Sequence, residues 1–333
     1  MTVLSFENIF PLLPTKETHN SSNHWQLCPF VVQNNVLFVQ KEWWDTELLP
    51  VSKDILLCEI VDRKGLQISV VDELPPDASK EQDELFWFIY NVHLRQYDAQ
   101  HWTDFLDQRD FKLINLPKSL IENLHILTTL FVSGRPMNKE IVSEIQEMSS
   151  WKRILASIEK NGVFVKLGQT SGKHDHAIRP IHNQEELLQF LCDSRDFLKC
   201  YDSYLTGNTF PIFILIQPWN RLINDSNEFR IFYYQGKVTA ISQQKWYQVL
   251  QFDDVKQICE TLIKTVQSSK IPYSCAVIDM FYDNSTSNAH IIEFNPWGAW
   301  NASGSALFHW IQDYSVLYSD EDNCVCRIYS NSN

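Results

Sequence analysis

The chain has 333 residues, enough for one large domain or two to three ordinary ones with a substantial core. Its 28 basic against 41 acidic residues leave a net charge of −13, so there is no general attraction for nucleic acid or an anionic membrane. Any phosphate it holds must be met by a few placed Lys or Arg side chains, alone or with a metal ion.

The rest of the composition is that of a globular protein, 44% hydrophobic and 21% charged. The opening MTVLSFENIFPLLP lacks the basic start and unbroken apolar stretch of a signal peptide. No apolar run reaches the roughly 18 residues of a membrane span. Eight scattered cysteines without CxxC spacing fit buried thiols in a reduced, cytoplasmic chain. Cys324 and Cys326 read either as two ordinary side chains or as a redox-active or metal-binding pair. Seven of the nine glycines fall between 162 and 304, where the backbone is expected to bend tightly or approach a ligand.

Residues 1–75 read as β-rich, with strands expected at 36–40, 55–61 and 66–71 and a DRKG turn at 62–65. Ser79, with Gln82 three residues on, predicts the N-cap of a helix through DELFWFIYNVHLRQY. From about 80 to 160 the pattern is mostly helical, including 139–148 and 151–159, and stops at Asn161-Gly162. This Trp- and Phe-rich part is expected to be packed core and interaction surface.

After 162 strands alternate with turns and helices. VFVKL (163–167) predicts a strand and GQTSGKHDH (168–176) a polar loop. NQEELLQFLCDSRDFL (183–198) predicts one amphipathic helix, and PIFILIQPW (211–219) a buried strand ending at Pro218. EFRIFYY-QG-KVTAIS predicts a tight hairpin, and residues 253–269 a helix. A second hairpin, CAVIDMFYD–NSTSN–AHIIEFNP, closes the set.

That second hairpin carries the chemistry. Glu293 and Asn295 are two apart in a strand and point to one face. If Tyr282 pairs with Ala289, Asp279 lies diagonal to Glu293, and a one-residue register shift brings them together. Asp279, Glu293 and Asn295 then form a hard-oxygen set suited to Mg²⁺, with no His or Cys to favour zinc. Lys166 and Lys173 supply charge for phosphate, although GxxxxGK[ST] is absent. Arg230 adds a third cation. Each of these bases alone marks a solvated side chain; it is their company with the acidic hairpin that points to a site. His174, Asp175 and His176 are read as a polar loop or, less simply, as metal ligands.

VFVKLGQTSGK, ILIQPW, EFRIFYYQGKVTAISQ, VIDMFYD and IIEFNPWG, in this order and through to LFHW at 307–310, resemble the ATP-grasp fold. They resemble most the cell division cycle protein 123 family, over roughly 140 to 310. The resemblance implies an α+β architecture, two α+β subdomains clasping ATP, with an extra N-terminal α/β region. The chain is expected to divide into 1–135 (β-rich, then helical, a partner or substrate surface), whose first 130 or so residues do not resemble the family's shorter N-terminal part, 136–315 (nucleotide-binding) and a tail, 316–333. The resemblance assigns Lys166 to the nucleotide phosphates, Lys173 to the covering loop, and Gln217, Pro218 and Trp219 to the adenine hinge. Arg230 would meet phosphates or an acyl group, with Lys173 beside it in the chemistry, and Asp279, Glu293 and Asn295 would hold Mg²⁺. Ala299 departs from the family's acidic residue, and AWNASGSA is longer than its counterpart.

Two functions follow from the resemblance. One is an ATP-binding assembly factor acting on a protein partner, of the kind that serves translation initiation factor 2. The other is an ATP-dependent carboxylate–amine ligase or a phosphotransferase, in which Mg²⁺, Lys and Arg stabilise the transferring group. A third is a fold that has lost nucleotide binding, against which the presence of Lys166, Asp279, Glu293 and Asn295 argues.

Overall fold

The computed structural model describes residues 2–4, 28–63, 65–75, 84–103, 106, 111–168, 170, 179–206, 211–250, 252, 254–301 and 303–329. The chain forms two compact units, one made of residues 1–97 with 221–333, the other of 98–220. The expected α+β mixture is what is found.

The first unit opens with β1 (Thr2–Leu4), β2 (Phe30–Gln33) and β3 (Val36–Gln40). Asn34 and Asn35, both at positive φ, turn β2 into β3, a conformation that Asn tolerates best after Gly. The expected strand at 55–61 is helical. α1 (Pro50–Leu56), with Pro at its first position, runs into a π-helical stretch, Leu57–Arg63. Leu56 and Ile60 are buried while Leu57 and Val61 are exposed, so the apolar residues repeat with a helical period of four. β4 (Gln67–Val71) then pairs parallel to β3, giving a small sheet in the order β2-β3-β4. α2 (Glu84–Arg95) follows; the proposed cap at Ser79 lies outside the described residues.

The second unit contains a strand that the helical texture hid, β5 (Lys112–Asn115). Helices α3 (Lys118–Val132), α4 (Lys139–Glu147) and α5 (Ser149–Leu155) lead to β6 (Val163–Leu167). The single helix expected at 183–198 is two, α6 (Gln184–Cys192) and α7 (Arg195–Leu205). Ser194 causes the break, because its side chain accepts from the Phe197 amide and caps α7. β7 (Phe213–Pro218) completes an antiparallel sheet, β5-β7-β6. Its core gathers Leu124, Trp151, Val165, Leu191, Phe197 and Ile214, all essentially buried.

The chain then returns to the first unit with β8 (Glu228–Tyr234) and β9 (Lys237–Gln243). Their turn is Gln235-Gly236, both at positive φ, as a two-residue hairpin of this twist requires. α8 (Val255–Ser268), capped by Asp254, precedes β10 (Cys275–Asp283) and β11 (Asn288–Asn295). After α9 (Tyr314–Leu317), β12 (Val325–Arg327) closes a six-stranded sheet in the order β1-β12-β9-β8-β10-β11. Trp297 stacks on Tyr234 at 5.5 Å and meets Trp310 edge-on at 5.0 Å, so large rings fill one face of this sheet.

Candidate functional site

The register of the large sheet sets the site. Tyr282 pairs with Ala289, as the turn length predicts, but the ladder shifts between Met280, opposite Ile291, and Asp279, opposite Glu293. A bulge at Ile292 supplies the one-residue shift that sets Glu293 opposite Asp279 in the ladder. On its other side Asp279 pairs with Arg230 of β8, which itself pairs with Ser242 of β9. Ser242, Arg230, Asp279 and Glu293 thus cross four adjacent strands in one row. Directly opposed residues share a face of the sheet.

Arg230 and Asp279 form a two-pronged pair, Nε to Oδ1 and Nη2 to Oδ2, each 2.8 Å. The third guanidinium nitrogen, Nη1, donates to the Gly304 carbonyl at 2.6 Å. Asn295 Nδ2 and Gln244 Nε2 also donate to Asp279 Oδ2, at 3.0 and 3.4 Å. The Arg230 and Asp279 side chains are only 11% and 5% exposed, and Glu293 is buried as well. Burial opposes the Arg230 charge, but Asp279, then Glu293 and Glu228, outweigh it and raise its pKa above the ordinary value.

Lys166, on β6 of the second unit, is buried at 2% exposure, and its Nζ stands 5.8 Å from the Trp102 ring centroid. The strand ends in a tight reversal. Gly168, at φ +52, donates to the Phe213 carbonyl, while Leu167 and Thr170 exchange two backbone hydrogen bonds. A Cβ on Gly168 would stand 3.0 Å from Asp98 Oδ1, so a bare backbone is required there. Lys173, with His174, Asp175 and His176, lies outside the described residues.

Gln217, Pro218 and Trp219 lie at the end of β7, all partly exposed. β6 pairs with Gln217 and Pro218 on one edge, and the Trp219 amide donates to the Gly162 carbonyl at 3.0 Å. The β5 ladder stops at Lys112 opposite Ile216, one residue before Gln217.

Arg230, Asp279 and Asn295 are therefore bonded directly, with Glu293 opposite Asp279. Lys166 and the 217–219 segment belong to the other unit and are described there. Sequence reasoning passed over Trp102, Gln244 and the Gly304 carbonyl. Gln244 follows the ISQ ending of β9 and was legible as its extension. Trp102 and Gly304 act across long sequence separations that carry no local signal.

The donor chemistry fits a hard divalent cation. Asp279, Glu293 and Asn295 offer carboxylate and carboxamide oxygens on two neighbouring strands, and Mg²⁺ takes one or two carboxylates, filling its octahedron with water and phosphate. Among the described residues no group of three or more His, Cys, Asp and Glu side chains is placed to hold a metal ion, so the set is a two-carboxylate one.

Comparison with known proteins bears on the family. The D123 family model matches residues 190–331. The structure of Cdc123 from Schizosaccharomyces pombe is similar at a TM-score of 0.52 and 16% identity, covering 71% of this chain and 96% of that one. A C-terminally truncated form of the same protein gives 0.51 and 17%, with the same coverage. D-alanine–D-alanine ligase from Bacillus anthracis aligns at only 0.32 and 10%, over 69% of this chain and 66% of its own. No curated protein matches. The likeness to Cdc123 is one of fold, mixed α+β, and the match to the D123 family model is confined to residues 190–331, less than half of the chain.

Proposed function

We propose that this protein binds ATP with Mg²⁺ and acts, in the cytoplasm, on a protein partner. The observation that carries the reading is the buried row Arg230–Asp279–Glu293 with Asn295 against it. A buried ion pair is a poor way to stabilise a fold, because apolar residues of similar volume usually serve as well or better. Two carboxylates and a guanidinium, aligned by a bulge on adjacent strands, are better explained by a charged ligand.

Asp279, Glu293 and Asn295 would hold Mg²⁺, which when bound neutralises phosphate charge and orients phosphate oxygens. Arg230 fixes the plane of the Asp279 carboxylate by the two-pronged contact. Lys166, held rigid by burial, is suited to meet a phosphate oxygen, and Lys173 to cover it. The Gln217–Trp219 segment offers a strand end for adenine. By family resemblance the partner is a protein of the translation initiation factor 2 type, with ATP serving an assembly step.

Equilibrium binding of a fluorescent ATP analogue, with and without Mg²⁺, together with an assay for ADP, tests this. Mg²⁺-dependent binding that is lost in Asp279→Asn, without ADP release by the isolated chain, is the expected result. Release of ADP without a partner would favour the ligase or phosphotransferase chemistry. No binding by the folded wild type would overturn the proposal.

A further inference from the structure

Away from the carboxylate row, on the other side of the sheet order, two cysteines meet. α8 buries Ile258, Cys259, Leu262 and Val266 as one stripe, and it packs on β9, β10 and β11. β12 lies parallel between β1 and β9, with Cys326 opposite Ile241. Cys259 and Cys326 are both 0% exposed, and their sulfurs are 2.7 Å apart, though 67 residues separate them in sequence. A disulfide bond is about 2.0 Å long, so closing this contact asks for a shift of well under 1 Å. Both are thiols here. Cys324, two residues before, is buried but 8% exposed.

We propose that Cys259 and Cys326 are a site of oxidative modification, forming a disulfide that fastens β12 to α8 through reaction with a low-molecular-weight disulfide such as oxidised glutathione. One cysteine, as thiolate, attacks that disulfide, breaks its S–S bond and releases one glutathione thiol. The other loses its proton to water and attacks the protein-side sulfur of the mixed disulfide, forming the Cys259–Cys326 bond and expelling the second glutathione. Two protein thiols are oxidised, and one glutathione disulfide is reduced to two thiols.

The reaction is slow in the closed protein. The Cys326 thiol is pushed well up by its hydrogen bond with Cys259 and then by burial, and burial pushes Cys324 up to about 12. Attack therefore begins when β12 opens, and the bond once formed resists that opening. β12 also carries Arg327, whose two-pronged pair with Asp313 (2.7 and 2.6 Å) and contact with the Leu307 carbonyl hold the 300s segment.

The test incubates the full chain with oxidised glutathione, in buffer and in urea below the unfolding midpoint to allow access. Samples are quenched in acid, denatured, alkylated, digested and mapped by mass spectrometry. A peptide joining Cys259 to Cys326, lost on reduction, is expected, with Tm raised by roughly 5 °C in the oxidised form. Cys324→Ser should leave both results unchanged, and Cys326→Ser should abolish them. Cys259 and Cys326 recovered alkylated even after the urea treatment, or Cys259 joined to Cys324 instead, would overturn the proposal.

Discussion

Asp279 receives the Arg230 guanidinium on both of its oxygens, so removing it strips a metal ligand and also strands a buried cation. Asp279→Ala should therefore destabilise the fold by about 3–5 kcal/mol in chemical denaturation. Asp279→Asn keeps the volume and one acceptor and should cost less, which makes it the cleaner probe of ligand binding. A second residue-scale effect concerns His93. It is fully buried among Trp43, Trp300 and Tyr97, with its ring nitrogens near Asn301 Nδ2 (3.2 Å) and Gln96 Nε2 (3.5 Å). Burial lowers its pKa to about 3. Below about pH 6.5 the unfolded chain takes up a proton that the folded chain refuses, so stability falls as pH falls from there toward 3. Urea unfolding should show roughly 2 kcal/mol less stability at pH 5 than at pH 7 from this group alone, and His93→Gln should flatten the dependence by about one proton. An unchanged slope in the variant would contradict the assignment.

At the scale of elements, what the sequence made legible was whatever is locally encoded. The hairpin turns at Gln235-Gly236 and after Asp283 and the strands between 163 and 295 follow from nearest-neighbour chemistry, whereas β12 in the expected tail does not. Residues 55–61 were not legible, because a short unbroken apolar run fits a buried strand and a buried helix equally. β5 was hidden because its pairing with β7, a hundred residues away, is what makes KLIN a strand. The bulge between Asp279 and Met280 was legible only as a needed shift, since nothing in the hairpin loop specifies it. Its effect can be isolated. Deleting Ile292 joins Ile291, opposite Met280, directly to Glu293, opposite Asp279, so regular pairing keeps the two residues opposed, and Mg²⁺-dependent nucleotide binding should persist while circular dichroism stays close to wild type. The break at residue 194 is similarly testable: Ser194→Ala removes the α7 cap and should cost about 1 kcal/mol in denaturant unfolding. A neutral result would mean that the break has another cause.

At the scale of the whole molecule, the family-matched segment, 190–331, contains Gln217, Pro218, Trp219, Arg230, Asp279, Glu293 and Asn295, while Lys166 and Lys173 precede it. The candidate site residues are also divided between the two compact units, Lys166 and the 217–219 strand end in one and the carboxylate row in the other. Among the described residues no helix is long and apolar enough to cross a membrane. The central claim is that the carboxylate row holds Mg²⁺ for ATP. Calorimetric titration of the full chain with ATP, in Mg²⁺ and then in excess chelator, beside a folded Glu293→Gln variant, tests it most directly. The account predicts heat of binding for the wild type in Mg²⁺, and its loss both in chelator and in the variant. Binding that is equally strong without Mg²⁺, or unchanged in Glu293→Gln, would contradict it.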